Sequence, residues 1–323
     1  MYYPIFVSLL LAMAFLVAGG ASALVLLTGR LLPRALRRLP SGVRAEVIFL
    51  LRVLPVIAAV FATLFLVVPG FLILEPGSTG EQVSPRLWLL TSLGFITLSA
   101  VMVRAFRIWS AGISLRRAWK RNSTPLSVPG ISVPVSKLEE PNSVLAVTGI
   151  LRPRVFVSAN IVSSLTEDEL RAALGHELAH VSAADNLKQV LLRISSLPRF
   201  LGAGFSAIDR LWLSSAEVAA DEGASHSGAS CLDLASALVK VGRMKSGALQ
   251  PAVASHFIPA EAASELPMRV AGLEHLIRTN SVPRRMQRQV RLVALLAICL
   301  ATYALTQPAV LSATHELMEL LVQ

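Results

Sequence analysis

Three stretches of this chain lack charged side chains altogether, and a fourth nearly does. Pro4 to Thr28, Val53 to Leu74 and Leu87 to Val103 carry none, and Val290 to Leu311 carries only Arg291, near its start. A bilayer core of about 30 Å takes roughly 20 helical residues at about 1.5 Å each. The pattern therefore predicts four membrane helices, at about 4–28, 53–74, 87–103 and 290–311, the third near the short limit. The first has no basic segment ahead of it, and its apolar run is too long for a cleaved signal, so it reads as a retained span.

Between the third and fourth runs the pattern changes to that of a globular unit. Residues 122–142 are rich in Pro, Ser and Gly and read as a linker holding one short strand. Val144 to Val147 and Val155 to Val157 are β-branched runs with Gly149 and Pro153 between them, which predicts a strand pair. Such a strand either pairs with an extended polypeptide or simply covers the core. Thr166-Glu167-Asp168-Glu169 is a capping box between Leu165 and Leu170, which suit a hydrophobic staple. The helix it opens runs to about Ile194. A second helix is expected from about Ile208 to Ala224, a third around Leu232, Leu238 and Val241, and another over Pro267–Arg278, with the proline in its first turn. The resulting frame is a membrane region over 1–106, a globular domain over 107–288, and the fourth span with a short tail over 289–323.

Composition agrees once it is divided this way. The chain is 54% hydrophobic and only 15% charged, and the excess lies in the apolar runs. Its net charge of +10 excludes less than its distribution does. Arg30, Arg34, Arg37, Arg38, Arg44 and Arg52 follow the first run against a single acid, Glu46. Arg104, Arg107, Arg116, Arg117, Lys120 and Arg121 follow the third with no acid among them, and Arg284, Arg285, Arg288 and Arg291 precede the fourth. Arginines beside apolar runs mark cytosolic loops. The N-terminus is therefore expected outside, and the globular domain in the cytosol. No nucleic-acid signature accompanies the charge, so no direct nucleic-acid binding is expected. Cys231 and Cys299 fall in different regions, which argues against a disulfide between them.

The candidate chemistry sits inside the capped helix, at His176-Glu177-Leu178-Ala179-His180. Histidines four apart project from one helix face and can share one zinc ion, with the intervening glutamate able to reach a water at the open position. A catalytic zinc needs a third protein ligand. Glu217, on the next predicted helix, is the best candidate. Asp221, one turn on, suits a carboxylate that fixes the tautomer of a ligating histidine. Glu222 rivals either role, but its offset turns it to another side of that helix. Asp185 either supports the same site or is solvated near a turn. Glu177 is expected to be the catalytic base. His226, Arg243 and Arg269 are candidates for stabilising an oxyanion.

The runs GILRPRVFVS, LTEDELRAALGHELAHVSAADN and AEVAADEGAS, framed by three spans before and one after, resemble membrane zinc peptidases of the BlaR/MecR antirepressor type, a Glu-zincin group. The resemblance is most specific from about Val144 to Lys240. It implies a mainly α membrane protein of four transmembrane helices, with an α+β zincin-like cytosolic domain inserted between the third and fourth. It implies Zn2+ on His176, His180 and Glu217, catalysis by Glu177, and support from Asp221. It also implies a protein substrate such as a cytosolic repressor, and residence in a bacterial inner membrane. No Ser-x-x-Lys motif occurs, so the β-lactam sensing of those receptors is not expected. A quality-control or prenyl-protein peptidase of the HtpX type shares the metal logic and is the alternative. A signalling scaffold that has kept the fold without activity is a third reading.

Overall fold

The computed structural model describes residues 2–29, 36, 38–74, 84–131, 133–139, 144–150, 152–195, 199–226, 228–244, 255–256, 269–270, 273 and 285–322. Helix α1 spans Tyr2–Gly29, α2 Ser41–Leu74 and α3 Pro85–Arg121. All three are long and apolar enough to cross a membrane. In α2 the backbone widens into a π-turn over Thr63–Val67, just before Pro69. A proline there has no N–H to donate and crowds the carbonyl four residues back, and a π-turn absorbs both effects. Ser84 caps α3 by accepting from the Leu87 N–H at 3.2 Å, with Pro85 in the first turn.

Two spans start or end beyond their predicted limits. Helix α2 begins at Ser41, twelve residues before the apolar run, and α3 continues to Arg121. The hydropathy pattern reports only the uncharged parts. The α2 extension packs on α7, and the α3 extension brings Trp119 onto Leu138, Ala146 and Phe156 of the globular unit.

That unit opens with β1 (Ser123–Leu126) and β2 (Val135–Leu138), an antiparallel pair where a linker with one strand was expected. Strands β3 (Leu145–Thr148) and β4 (Arg154–Ser158) form the expected antiparallel pair around Gly149, which sits at φ 94°. Strand β2 runs parallel to β4, and β5 (Ser255–His256) adds antiparallel to β3, giving the order β1-β2-β4-β3-β5. Helices α4 (Ala159–Ser164), α5 (Glu167–Ala183), α6 (Asp185–Ile194), α7 (Arg199–His226) and α8 (Cys231–Met244) follow. The domain core joins Leu145, Val147, Val155 and Val157 of the sheet to Ala172 and Leu174 of α5 and Leu234, Leu238 and Val241 of α8.

A second core fastens the membrane region to this domain. Ala45, Ile48 and Val53 of α2 pack with Phe205, Ile208, Trp212 and Ala216 of α7. Polar contacts follow the same line: Arg52 donates to Asp209 at 2.8 Å, Arg44 to Ser215 at 3.0 Å, and Ser41 to Glu222. Near the C-terminus, α9 (Arg285–Leu305) and α10 (Pro308–Val322) meet at a 71° bend. The sequence pattern predicted one span to residue 311 and then a tail. The chain instead breaks at Thr306-Gln307, before Pro308, and the second helix buries Met318 and Val322 beside Phe71 and Leu87. Among the described residues the apolar helices thus provide three spans, or four if the bent pair is one.

Candidate metal centre

The helix that carries the two histidines is fixed at its first turn. The Thr166 side chain accepts from the Glu169 N–H at 3.3 Å, and Glu169 accepts in return from the Thr166 N–H at 2.8 Å. Glu169 also receives Ser236 at 2.5 Å and Lys240 at 2.7 Å, which ties α5 to α8. Burial would raise the pKa of this carboxyl, but the Lys240 and Ser236 bonds and the Thr166 N–H outweigh it and hold the group at about 2.

Gly223 lets α7 approach closely. A Cβ there would lie 2.9 Å from the Cβ of Ala179, between Glu177 and His180. That approach brings Glu217 and Asp221 over the histidines. Helix α5 then stops at Ala184, which takes the left-handed conformation at φ 58°. The expected single helix to Ile194 is therefore two helices. The break swings Asp185 back toward His180.

Each imidazole is consequently gripped from behind by its own aspartate. His176 Nδ1 lies 2.9 Å from Asp221 Oδ1, and His180 Nδ1 lies 2.8 Å from Asp185 Oδ2. A carboxylate at Nδ1 places the ring proton there and leaves Nε2 with a lone pair. The two Nε2 atoms face each other at 3.1 Å, and each is 3.6 Å from an oxygen of Glu217. His176, Glu177 and Glu217 are buried, as is His180. Among the described residues, His176, His180 and Glu217 form a group whose ligand atoms all lie within 4.8 Å of one another, close enough to hold one metal ion.

A layer of charge surrounds this set. Arg269 donates to Asp221 at 2.9 and 2.6 Å and pairs with Glu217 at 2.9 Å. Burial opposes charge on Asp221, but the guanidinium and the His176 bond dominate and hold the carboxyl at about 2. Glu217 also lies below the usual carboxylate range, burial being outweighed chiefly by Arg269. Burial likewise opposes charge on both histidines. Asp221 and Glu217 overcome it at His176, and Asp185 and Glu217 at His180, so both lie above the ordinary imidazole range. On the other side, Lys188 bonds Asp185 at 3.4 Å and Glu46 of α2 at 2.8 Å.

Of the residues singled out from sequence, His176, Glu177, His180, Glu217, Asp221 and Asp185 come together. Glu222 turns away toward Ser41. His226 caps its own helix end by bonding the Glu222 carbonyl, and Arg243 is exposed on α8. Arg269 is in the site, but it is bound to carboxylates. Of the helix expected over Pro267–Arg278, only Arg269, Val270 and Leu273 are described. Lys188 and Glu46 were not foreseen, although Glu46 is the lone acid in an arginine-rich segment and was legible as an anomaly. The edge of β3 that could take an extended polypeptide pairs with β5 at two positions, Ala146 with His256 and Val147 with Ser255.

Two histidines and a glutamate converge on a buried point, with a second glutamate between the histidines, an arrangement that could hold a metal ion beside a general base. Residues 117–241 match the model of peptidase family M48, and together with the apolar helices this supports a membrane metallopeptidase. Among solved structures, the crystal structure of S. mikatae Ste24p is similar at 15% identity over 68% of this chain and 72% of that one. Its TM-score of 0.31 is too low to support any conclusion. No curated protein matches.

Proposed function

We propose that this chain is an integral-membrane zinc endopeptidase with a cytosolic active site. The observation that carries the reading is the paired grip on the imidazoles: both Nδ1 atoms are held by aspartates, and both Nε2 atoms are turned onto one point beside Glu217. Two imidazole nitrogens, which yield any proton to a bound ion, and one carboxylate are the donor set that zinc favours at a hydrolytic site. His176, His180 and Glu217 would hold the ion. Asp221, Asp185 and, behind them, Arg269 and Lys188 would orient the ligands.

When bound, zinc makes water acidic near neutral pH and polarises a carbonyl. Glu177 takes the proton from the attacking water as its oxygen bonds the peptide carbon. It then delivers that proton to the leaving nitrogen as the C–N bond breaks. The buried setting of Glu177 keeps bulk water from competing for the transfer.

The experiment uses the full chain purified in detergent. Wild type and Glu177→Ala are expected to bind zinc equally, with proteolysis and any self-cleavage only in wild type. Equal cleavage by both would refute the role of Glu177. Glu217→Gln is expected to lose zinc. A cysteine placed at Ser123 and labelled from outside intact cells would refute the cytosolic orientation.

For the substrate, the antirepressor-like runs suggest regulatory cleavage of a soluble repressor in a bacterial inner membrane. The second reading, from the HtpX-type alternative, is cleavage of membrane or lipid-modified proteins in quality control. The protein that accumulates uncut in cells carrying Glu177→Ala separates the two: a soluble DNA-binding protein supports the first, a membrane protein the second.

A further inference from the structure

Helix α3 carries its own measure of the bilayer. Trp88 and Trp109 are 60% and 68% exposed, and the 21 helical steps from one to the other span about 32 Å. Tryptophans favour the two membrane interfaces, and Arg104 and Arg107, which precede Trp109, end the uncharged run, so the hydrocarbon edge on the side of the globular domain lies near Val103 and Trp109 sits at the level of the headgroups. There a cavity of about 690 Å³ opens between α3, the β3–β4 turn and α6. Its apolar wall includes Phe106, Trp109 and Ile113 of α3, Ile150 of the turn, and Val190 and Ile194 of α6. Leu187 and Leu191, beside them on α6, are each 40% exposed, as expected of a face covered by lipid.

The end of the cavity away from the bilayer is different. Arg116 and Arg152 line it, at the close of a helix segment with six cations and no acid between Arg104 and Arg121. Thr148 and Asn186 line it too. The Oγ1 of Thr148 and the Oδ1 of Asn186 are buried and have no hydrogen-bond partner. Such atoms are rare in folded proteins and call for a ligand that can satisfy them. The Asn186 amide, meanwhile, donates to the carbonyls of Val147 and Gly149 at 3.4 and 3.3 Å, which fixes its oxygen as the free end.

We propose that this cavity binds an anionic phospholipid with a hydroxyl-bearing headgroup, taken from the leaflet nearer the globular domain. Its phosphate sits on Arg116 and Arg152, and its headgroup hydroxyls donate to Asn186 Oδ1 and Thr148 Oγ1. Its acyl chains descend along Ile113, Trp109 and Phe106 into the bilayer. The depth of each group matches its chemistry: Arg116 lies about two helical turns farther from the hydrocarbon edge than Trp109, beside Arg152, and Phe106 and Met102 carry the apolar wall down to that edge. An acidic peptide would satisfy the arginines but not a wall that continues into the hydrocarbon. This site is independent of the peptidase reading.

The test uses the full chain, stripped of lipid in detergent and offered equal phosphatidylglycerol and phosphatidylcholine, with retained lipid read by native mass spectrometry. Two arginines at a headgroup favour the anionic lipid by about 30-fold. Arg116→Gln/Arg152→Gln is expected to bring that preference within about threefold. Thr148→Val is expected to keep it but to reduce discrimination between phosphatidylglycerol and phosphatidic acid, which has no headgroup hydroxyl, since Asn186 Oδ1 remains as an acceptor. Ile113→Trp places an indole across the acyl-chain path without removing a charge and is expected to abolish retention, with unchanged helix content by circular dichroism. Equal retention of both lipids by wild type overturns the proposal, as does a preference that survives Ile113→Trp. Capture of polypeptide in place of lipid by a photo-crosslinker at Ile113 in native membranes overturns it as well.

Discussion

Replacing Glu169 by Gln should loosen the metal helix in a way that depends on pH. The carboxylate joins the Thr166 cap to Ser236 and Lys240 of α8, and its pKa falls from 4.5 to about 2. That displacement corresponds to a ceiling of ~3.4 kcal/mol. Lys240 is 41% exposed, and water screens the pair, which brings the expected loss to ~1–2 kcal/mol. Because the folded pKa lies below the unfolded one, the stabilisation is complete above about pH 5 and disappears as pH falls through 4.5 toward 2. Hydrogen exchange at pH 6 on the full chain in detergent should show amides of 167–183 about 5–30-fold less protected in the variant. Urea midpoints should differ most at pH 6, with less than about half of the gap left at pH 3. Equal protection at pH 6, or a gap that does not change with pH, would refute the assignment of this carboxylate as the charged tie between α5 and α8.

Other substitutions test the site's outer layer. Asp185→Asn and Asp221→Asn should each weaken metal affinity at the proposed site by about 10–100-fold, read by chelator competition with added zinc, since each removes the grip on one imidazole. Lys188→Met leaves Glu46 and Asp185 buried without their shared cation and should cost ~3–5 kcal/mol; adding Glu46→Gln should recover part of that in thermal melts. Gly223→Ala drives a methyl to 2.9 Å from Ala179 and should destabilise by ~1–3 kcal/mol while lowering zinc retention. Ala184→Gly relieves the left-handed strain and should raise stability by up to ~1 kcal/mol with activity intact.

What sequence could and could not disclose follows from the range of each interaction. The capping box, the spacing of His176 and His180, and the strand pair around Gly149 are local, and periodicity and turn chemistry expose them directly. Glu217 and Asp221 were legible because ligand chemistry demands a third donor and a helix offers its neighbour one turn on. Asp185 was ambiguous because its role depends on one left-handed residue, Ala184, and alanine carries no signal for that conformation. The pairing of Arg269 with Asp221 and Glu217 was not legible, since nothing local says that two carboxylates wait 48 and 52 residues upstream. The inward reach of α2 was hidden by hydropathy, which registers contact with lipid and is blind to the amphipathic turns of Ser41–Arg52.

Those turns set a practical limit on dissecting the molecule. A soluble fragment of residues 107–288 looks like a natural expression target, but it would leave the α7 face of Phe205, Ile208, Trp212 and Ala216 uncovered, and Asp209 and Lys188 without Arg52 and Glu46. Such a fragment should aggregate. Supplying residues 41–62 as a separate peptide should rescue it, much as the halves of a split reporter restore one another. The same dependence would protect the cell, because a peptidase that comes away from its membrane helices would also lose the support of its catalytic ligands.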